Sequence, residues 1–403
     1  MFNLFKKSVV SLDRLAEIGN FVRYGSSAGQ VVSPETAFGV ASVFCAVKVI
    51  SEGIAQMPVR VLQEKYDVDQ NLVRKIDFSH WAHRLLSVQP NEFQTPFEFR
   101  EYVITAALLD RGFLGVLNRV GGEVREILPL PMGTWTLEKE ANSWGYYFQV
   151  SYANGETGRF SPDQVLYVRG PSLDGLKAFS SLQAAREAIG IARSLEKQQA
   201  NLSKNGGKPS GVLSLEGELK SETRDRLKSS WEETYGPDGP GGIALLDRGA
   251  DFKPITMTGV DSQFLQNRQF QIEEIARAFR VHPMMLMHSN NTTTFASAEQ
   301  HSRHHIIHTL MPWSNRFEQA CNRDILKNDP LRRVDLDERA LLRGDFKDQA
   351  EYYTKALGSG GQPGWMTVNE IRGERDMNPI QDKWANTVPK GAMMPTDEAN
   401  NGT

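Results

Sequence analysis

The sequence predicts an α+β fold in several lobes, on three observations. Apolar residues at helical spacing alternate with short β segments through the first 170 residues. Two long, polar helical runs flank a small Gly/Pro-containing unit in the middle of the chain. No repeat or heptad array links the parts. The 403 residues allow two to three lobes at about 150 residues each, and a chain of this length buries roughly 75% of its unfolded surface.

The elements follow in order. Residues 1–32 read as a loose arm ending in the Gly25–Gly29 linker. Ser33 as N-cap with Pro34 at the first helical position starts a helix. Val40, Val43, Phe44, Val47, Ile50, Ile54 and Met57 continue it at spacings of three and four, until Pro58 closes it. Val59–Leu62 alternates as a strand, and Thr95 before Pro96 opens a second helix reaching Arg111. Between Gly112 and Val168 lie short β segments at 113–117, 123–128, 134–137, 146–152 and 164–168, separated by turn residues, with Asn154-Gly155 as a hairpin tip.

Two long helices come next, about 181–205 and 261–280, spanning roughly 37 and 30 Å at 1.5 Å per residue. Residues 206–257 between them form a unit of their own, with strands near 211–215, 243–246 and 251–255, a charged helix at 221–235 and a Gly/Pro turn. The long helices carry charges on several faces, including Arg186, Glu187, Arg193, Glu273, Glu274 and Arg277. Helices this polar need neighbours, such as copies of themselves. After Pro283 comes a polar stretch, 288–295. A helix over 296–326, interrupted by Pro312, leads to a strand at 333–336. Helices at 346–357 and 367–375 follow, the latter with Thr367 and Glu370 as a capping box. Residues 386–403 are polar and read as disordered.

Composition narrows the function classes. Lys plus Arg number 46 against 49 Asp plus Glu, a net charge of −3, which argues against gripping nucleic acid through a dominant basic surface. Cys45 and Cys321 are the only cysteines, so no disulfide framework or thiolate metal cage can be built. Charges at Lys6, Lys7, Asp13, Arg14 and Glu17 are unlike a signal peptide. The most apolar run, Phe38–Val47, ends at Lys48, short of the ~20 residues a membrane helix needs. The expectation is a soluble, intracellular protein with no cofactor and no membrane partner.

Three constellations invite chemistry. His301, His304 or His305, and His308 lie along one helical face at metal-ligand spacing, but no glutamate occupies the zincin position and no nearby carboxylate orients the rings. A polar helix face is the preferred reading, and a metal-dependent hydrolase is the alternative function. Asn205–Ser210 fails the phosphate-loop pattern, because Lys208 is followed by Pro209 and position 202 is Leu. The segment Ser289, Asn290, Asn291, Thr292, Thr293 and Thr294 offers neutral hydrogen-bonding side chains. These suit either a solvent loop or a surface touching a polyanion weakly enough for it to slide. No nucleophile–base pair argues for catalysis.

Blocks spread over the chain carry a resemblance: Ala41–Pro58, Gln89-Pro-Asn91 with Pro96–Phe99, Ile127–Pro131, Val165–Gly170 with Ser172–Leu176, Ala185–Gly190, Pro209–Leu213, Gln271–Phe279, Leu310–Trp313 and Leu341–Asp345. In number, order and spacing they resemble the portal proteins of tailed double-stranded DNA phages. The resemblance implies a portal fold: an α/β wing (33–180 and 296–340), stem helices (181–205 and 258–281), a small α/β clip (206–257), a tunnel loop region (282–295) and a helical crown (341–385). It implies a dodecameric ring in the virion, assembled in the host cytoplasm, with no enzymatic activity. The implied partners are the major capsid protein, the terminase large subunit, a head–tail adaptor and double-stranded DNA held without sequence preference. Residues 289–294 would face the DNA. Lys220, Arg224, Lys228, Trp231, Tyr235 and Asp238 would serve clip docking of terminase and adaptor.

Overall fold

The computed structural model describes residues 23–66, 72–141, 143, 145–152, 155–204, 212–214, 221–222, 225–226, 229, 251–253, 260–288, 295–341, 346–359, 362–375 and 377–389. It divides into two compact units, Met1–Asp337 and Glu338–Thr403.

The described end of the expected arm is not loose. Strands β1 (Tyr24–Gly25) and β2 (Val31–Val32) pair antiparallel and clasp the long helix Ser181–Lys204. Ser27 N donates to Glu187 at 2.9 Å and Arg193 Nη1 to the Val31 carbonyl at 2.7 Å. Gly190 permits this approach, since a Cβ there would stand 2.2 Å from Ser26 Oγ.

Helix α1 (Pro34–Phe38) starts as its residues dictate, with Ser33 and Thr36 capping each other and Pro34 in the first turn. It stops at Gly39. Val40 is extended, so the single helix expected through Met57 is two, and α2 (Ala41–Ala55) begins afresh. Val43, Val47, Ile50 and Ile54 on α2 are fully buried. The sequence reading passes over α3 (Trp81–Ser87). Helix α4 (Pro96–Leu109) opens on the expected Thr95, whose side chain exchanges hydrogen bonds with Glu98. From α4, Arg100 enters the core and donates to the Ala55 and Leu86 carbonyls. Burial lowers its guanidinium to about 10, so the charge survives because three donors are satisfied.

Three three-stranded sheets complete this body. In one, β3 (Val59–Tyr66) lies between β4 (Leu72–Ile76) and β13 (Arg332–Leu336); the expected strand at 333–336 thus closes a sheet begun some 270 residues earlier. In the second, β5 (Phe113–Val120) lies between β6 (Glu123–Pro129) and β10 (Val165–Val168). In the third, β8 (Tyr146–Ser151) lies between β7 (Trp135–Lys139) and β9 (Thr157–Phe160). Gly155, at φ +79, makes the tight turn between β8 and β9. Alternate residues of the last two sheets, Leu114, Val116, Trp135, Phe148, Val150, Val165 and Tyr167, form one buried cluster. Trp135, Phe148 and Tyr167 meet edge to face at 5.1–5.9 Å, a favoured aromatic geometry.

The Ser181–Lys204 helix already met is α5, the first of the two expected stem helices; α6 (Val260–Phe279) packs against it. Between them, the described residues include β11 (Val212–Ser214) paired antiparallel with β12 (Asp251–Lys253), and helical residues at 221–222, 225–226 and 229. The strand expected at 243–246 lies outside the described residues. Helix α7 (Phe295–His305) runs through a π turn at Ile306–Leu310 into α8 (Met311–Asp324). A proline inside a helix clashes with the carbonyl four residues back. The wider π turn just ahead of Pro312 accommodates it, so the helix expected to break there continues.

The second unit holds α9 (Phe346–Ala356) and α10 (Val368–Glu374), the latter capped by Thr367 and Glu370 as its residues predict. Order extends past the expected start of the polar tail: Lys383–Asn386 forms a 3-10 turn, and Gly364 N donates to the Pro389 carbonyl.

Candidate functional site

All six expected clip residues, Lys220, Arg224, Lys228, Trp231, Tyr235 and Asp238, lie outside the described residues, as does 289–294. The structure shows what holds the ends of segment 289–294.

On the leading side, α6 ends with Ile275, Ala276 and Phe279 buried. Arg280 adopts φ +57, a left-handed position that costs a non-glycine residue about 1 kcal/mol. This turns the chain so that Val281 N bonds the Ala276 carbonyl and Val281 enters the core. His282 caps the 3-10 turn Pro283–Leu286, its Nδ1 accepting from Met284 N at 3.2 Å. Leu286 is buried, and Cys45 on α2 donates to the Met285 carbonyl at 3.5 Å. Met287, also at φ +57, is 92% exposed.

On the trailing side, the π turn is fastened to the same place. Thr309 Oγ1 donates to the Arg280 carbonyl at 2.6 Å. Leu310 packs over Gly53 on α2, where a Cβ would stand 2.8 Å from Leu310 Cδ2. The chain before the segment, at 280–286, and the chain well after it, at Thr309 and Leu310, therefore both rest on α2 and the end of α6.

Six of the chain's eight histidines fall between positions 282 and 308. They do not form the metal centre considered from spacing. The His282 and His301 rings pack with centroids 4.1 Å apart and planes tilted by 32°, and those of His304 and His308 with centroids 4.3 Å apart and planes tilted by 49°. Among the described residues no group of three or more His, Cys, Asp or Glu is placed to hold a metal ion. His305 is buried, which lowers its pKa, with His304 adding to the effect. Its Nδ1 has no hydrogen-bond partner in the described structure. The sequence reading identified the helical face but not the pairing with His282, which depends on the chain turning back on itself.

The stem pair is the other element bearing on function. Its root is buried through Leu182, Ala185 and Ile189 of α5. Farther out, Arg268 Nη1 donates to Gln199 Oε1, while Ile191, Leu265 and Phe270 are exposed. No described helix is long and apolar enough to cross a membrane.

Comparison with known proteins places these features. Residues 41–376 match the family model for phage portal proteins. The probable portal protein of Streptomyces phage phiC31 is 28% identical over 371 residues, covering 89% of this chain and 79% of that protein. The portal protein of Enterobacteria phage HK97 is 27% identical over 378 residues, covering 92% and 87%. The fold is shared with a chain in the neck of an empty gene transfer agent particle, with a TM-score of 0.61 at 22% identity over 86% of this chain and 93% of that one. It is also shared with an HK97-family phage portal protein from Corynebacterium diphtheriae, with a TM-score of 0.55 at 18% identity over 80% and 98%. The α+β fold is thus a portal fold, and the chain belongs to the phage portal protein family.

Proposed function

We propose that copies of this chain close into a ring at the unique capsid vertex and conduct double-stranded DNA inward during packaging and outward at ejection. The observation that carries this reading is the α5–α6 pair, buried at its root and exposing Ile191, Leu265 and Phe270 among polar side chains beyond it, side chains that a lone chain leaves uncovered and neighbouring copies would cover. A ring of twelve is the stoichiometry we favour; a neck structure of the native gene transfer agent particle was computed with C12 symmetry. Residues 206–257 would dock the terminase large subunit and later the head–tail adaptor, the body would meet the major capsid protein, and 289–294 would line the channel. ATP chemistry would belong to the terminase, and this chain would hydrolyse nothing. A net charge of −3 per copy suits conduction, because strong phosphate binding would brake a moving polymer.

Deleting Asn290–Thr294 tests the channel assignment. The described contacts on either side of the segment, at Arg280 and Leu286 and at Thr309 and Leu310, do not include its residues, so rings should form at wild-type yield while packaged or retained DNA falls. Loss of rings would make the segment an assembly element instead.

A further inference from the structure

Helix α5 carries two apolar faces. Leu182, Ala185 and Ile189 are buried at its root. About 120° round the helix, at roughly 100° per residue, lie Ala184, Ala188, Ile191 and Leu195. Ala184 and Ile191 are exposed, and Ala188 and Leu195 are half-buried. Two described contacts bound this strip. On one side the N-terminal hairpin engages Glu187, a helix-surface neighbour of both Ala184 and Ile191. On the other, Arg268 of α6 donates to Gln199. Between them Ile191 is left 38% exposed.

Residues 1–22 lie outside the described residues, and their sequence supplies a counterpart to the strip. Phe5, Val9, Leu12 and Ala16 follow one another at intervals of four, three and four, the same intervals that separate Ala184, Ala188, Ile191 and Leu195. Phe2 extends the series by three, while Lys6, Lys7, Arg14 and Glu17 fall off it. Two such stripes on adjacent helices meet side by side over about 17 Å, at 1.5 Å per residue. We propose that residues 2–16 of one copy, wound as a helix, lie on the Ala184–Leu195 strip of the next copy and tie neighbours together through an exchanged arm. This rests on the portal reading, which sets copies side by side.

The hairpin fixes where the arm sets out, and in which direction. Tyr24 Oη donates to Gln183 Oε1, Ser26 lies against Gly190, and Ser27 N donates to Glu187. From residue 24 to residue 27 the chain therefore advances outward along α5. Followed backward it leaves past the first turn of that helix, away from the strip on its own copy. Residues 17–22 reach roughly 20 Å when extended, more than the about 8–10 Å between packed helices, so the connection is long enough to cross to an adjacent copy.

The test uses the full chain carrying V9C/I191C or L12C/I191C, one pair for each direction of packing, assembled under reducing conditions and then oxidised. On a denaturing gel one pair should give a ladder of covalent multimers up to the whole ring. The single variants V9C, L12C and I191C, which keep the half-buried Cys45 and buried Cys321, should give no ladder. Deleting residues 2–16 should raise the concentration at which half the protein is in rings about tenfold or more, as loss of a large buried apolar contact does. L12D should act in the same direction, K7D, off the stripe, should change nothing, and all three should keep the melting temperature of the unassembled chain. A linked monomer without a ladder would put the arm on its own helix and overturn the proposal. So would no link from either pair, or unimpaired assembly of the deletion variant. Wild type that forms no rings would overturn the portal reading, whereas wild-type rings without these effects would overturn this inference alone.

Discussion

The core of the larger unit and the outer part of its α5–α6 pair treat apolar side chains in different ways. In the body, α2 turns Val43, Val47, Ile50 and Ile54 inward at 0% exposure, and the sheets bury a contiguous aromatic and aliphatic cluster. In the stem, burial stops at Leu182, Ala185 and Ile189 on α5 and at Ile275 and Phe279 on α6. Beyond that root Leu265 is 62% exposed, Phe270 53% and Ile191 38%. The body also exposes single large apolar side chains, such as Tyr66 at 74% and Leu173 at 88%. Under the proposed function, those of the outer α5–α6 pair would be covered by neighbouring copies, so that the body is built to fold and the outer stem to be completed.

The sharpest way to break this contrast is L265D with F270D. Under the account the variant remains folded, with a melting temperature close to wild type, yet sediments as a monomer. A large loss of melting temperature would mean these residues belong to the fold. At the root the expectation reverses: F279A should lower stability by about 3–5 kcal/mol, as truncation of a buried aromatic does, measured by denaturant unfolding. A smaller effect is expected where the N-terminal hairpin meets the stem. In G190V the new side chain meets Ser26, so the clasp should release and limited proteolysis should cut within residues 23–33, with the body protected.

The smallest effect lies in the body's own electrostatics. Asp77 is held at about 2 by hydrogen bonds from Ser79 and Arg332 and by the Arg332 charge. Its folded pKa lies below the unfolded value, so its contribution is present above about pH 4 and is lost as pH falls through about 2. D77N should cost about 1 kcal/mol or less at pH 7, and the difference from wild type should vanish near pH 2.

The parts legible in the sequence are those set by local chemistry. Ser33-Pro34, Thr95-Pro96 with Glu98, and Thr367 with Glu370 announce helix starts because a cap needs only residues within one turn. The long stem helices were legible from periodicity to within a residue or two. The α1–α2 break was not, because Val40 continues the apolar spacing while its backbone turns extended. Strands β4 and β9 are short and lie mostly exposed, and β13 finds its place only by pairing with β3, a contact no local pattern encodes. At the candidate site, the spacing of His301, His304 and His308 was visible, but the packing of His301 against His282 and of His304 against His308 required the fold. Pro312 signalled a disturbance in its helix; only the structure shows that a π turn absorbs it.

The central claim, that the outer stem is finished by copies of the same chain, is tested most directly by the mass and image of the purified protein at micromolar concentration. The account predicts closed rings with a central channel, with the α5–α6 pairs packed side by side around it. A strictly monomeric particle with no rings by electron microscopy would contradict it.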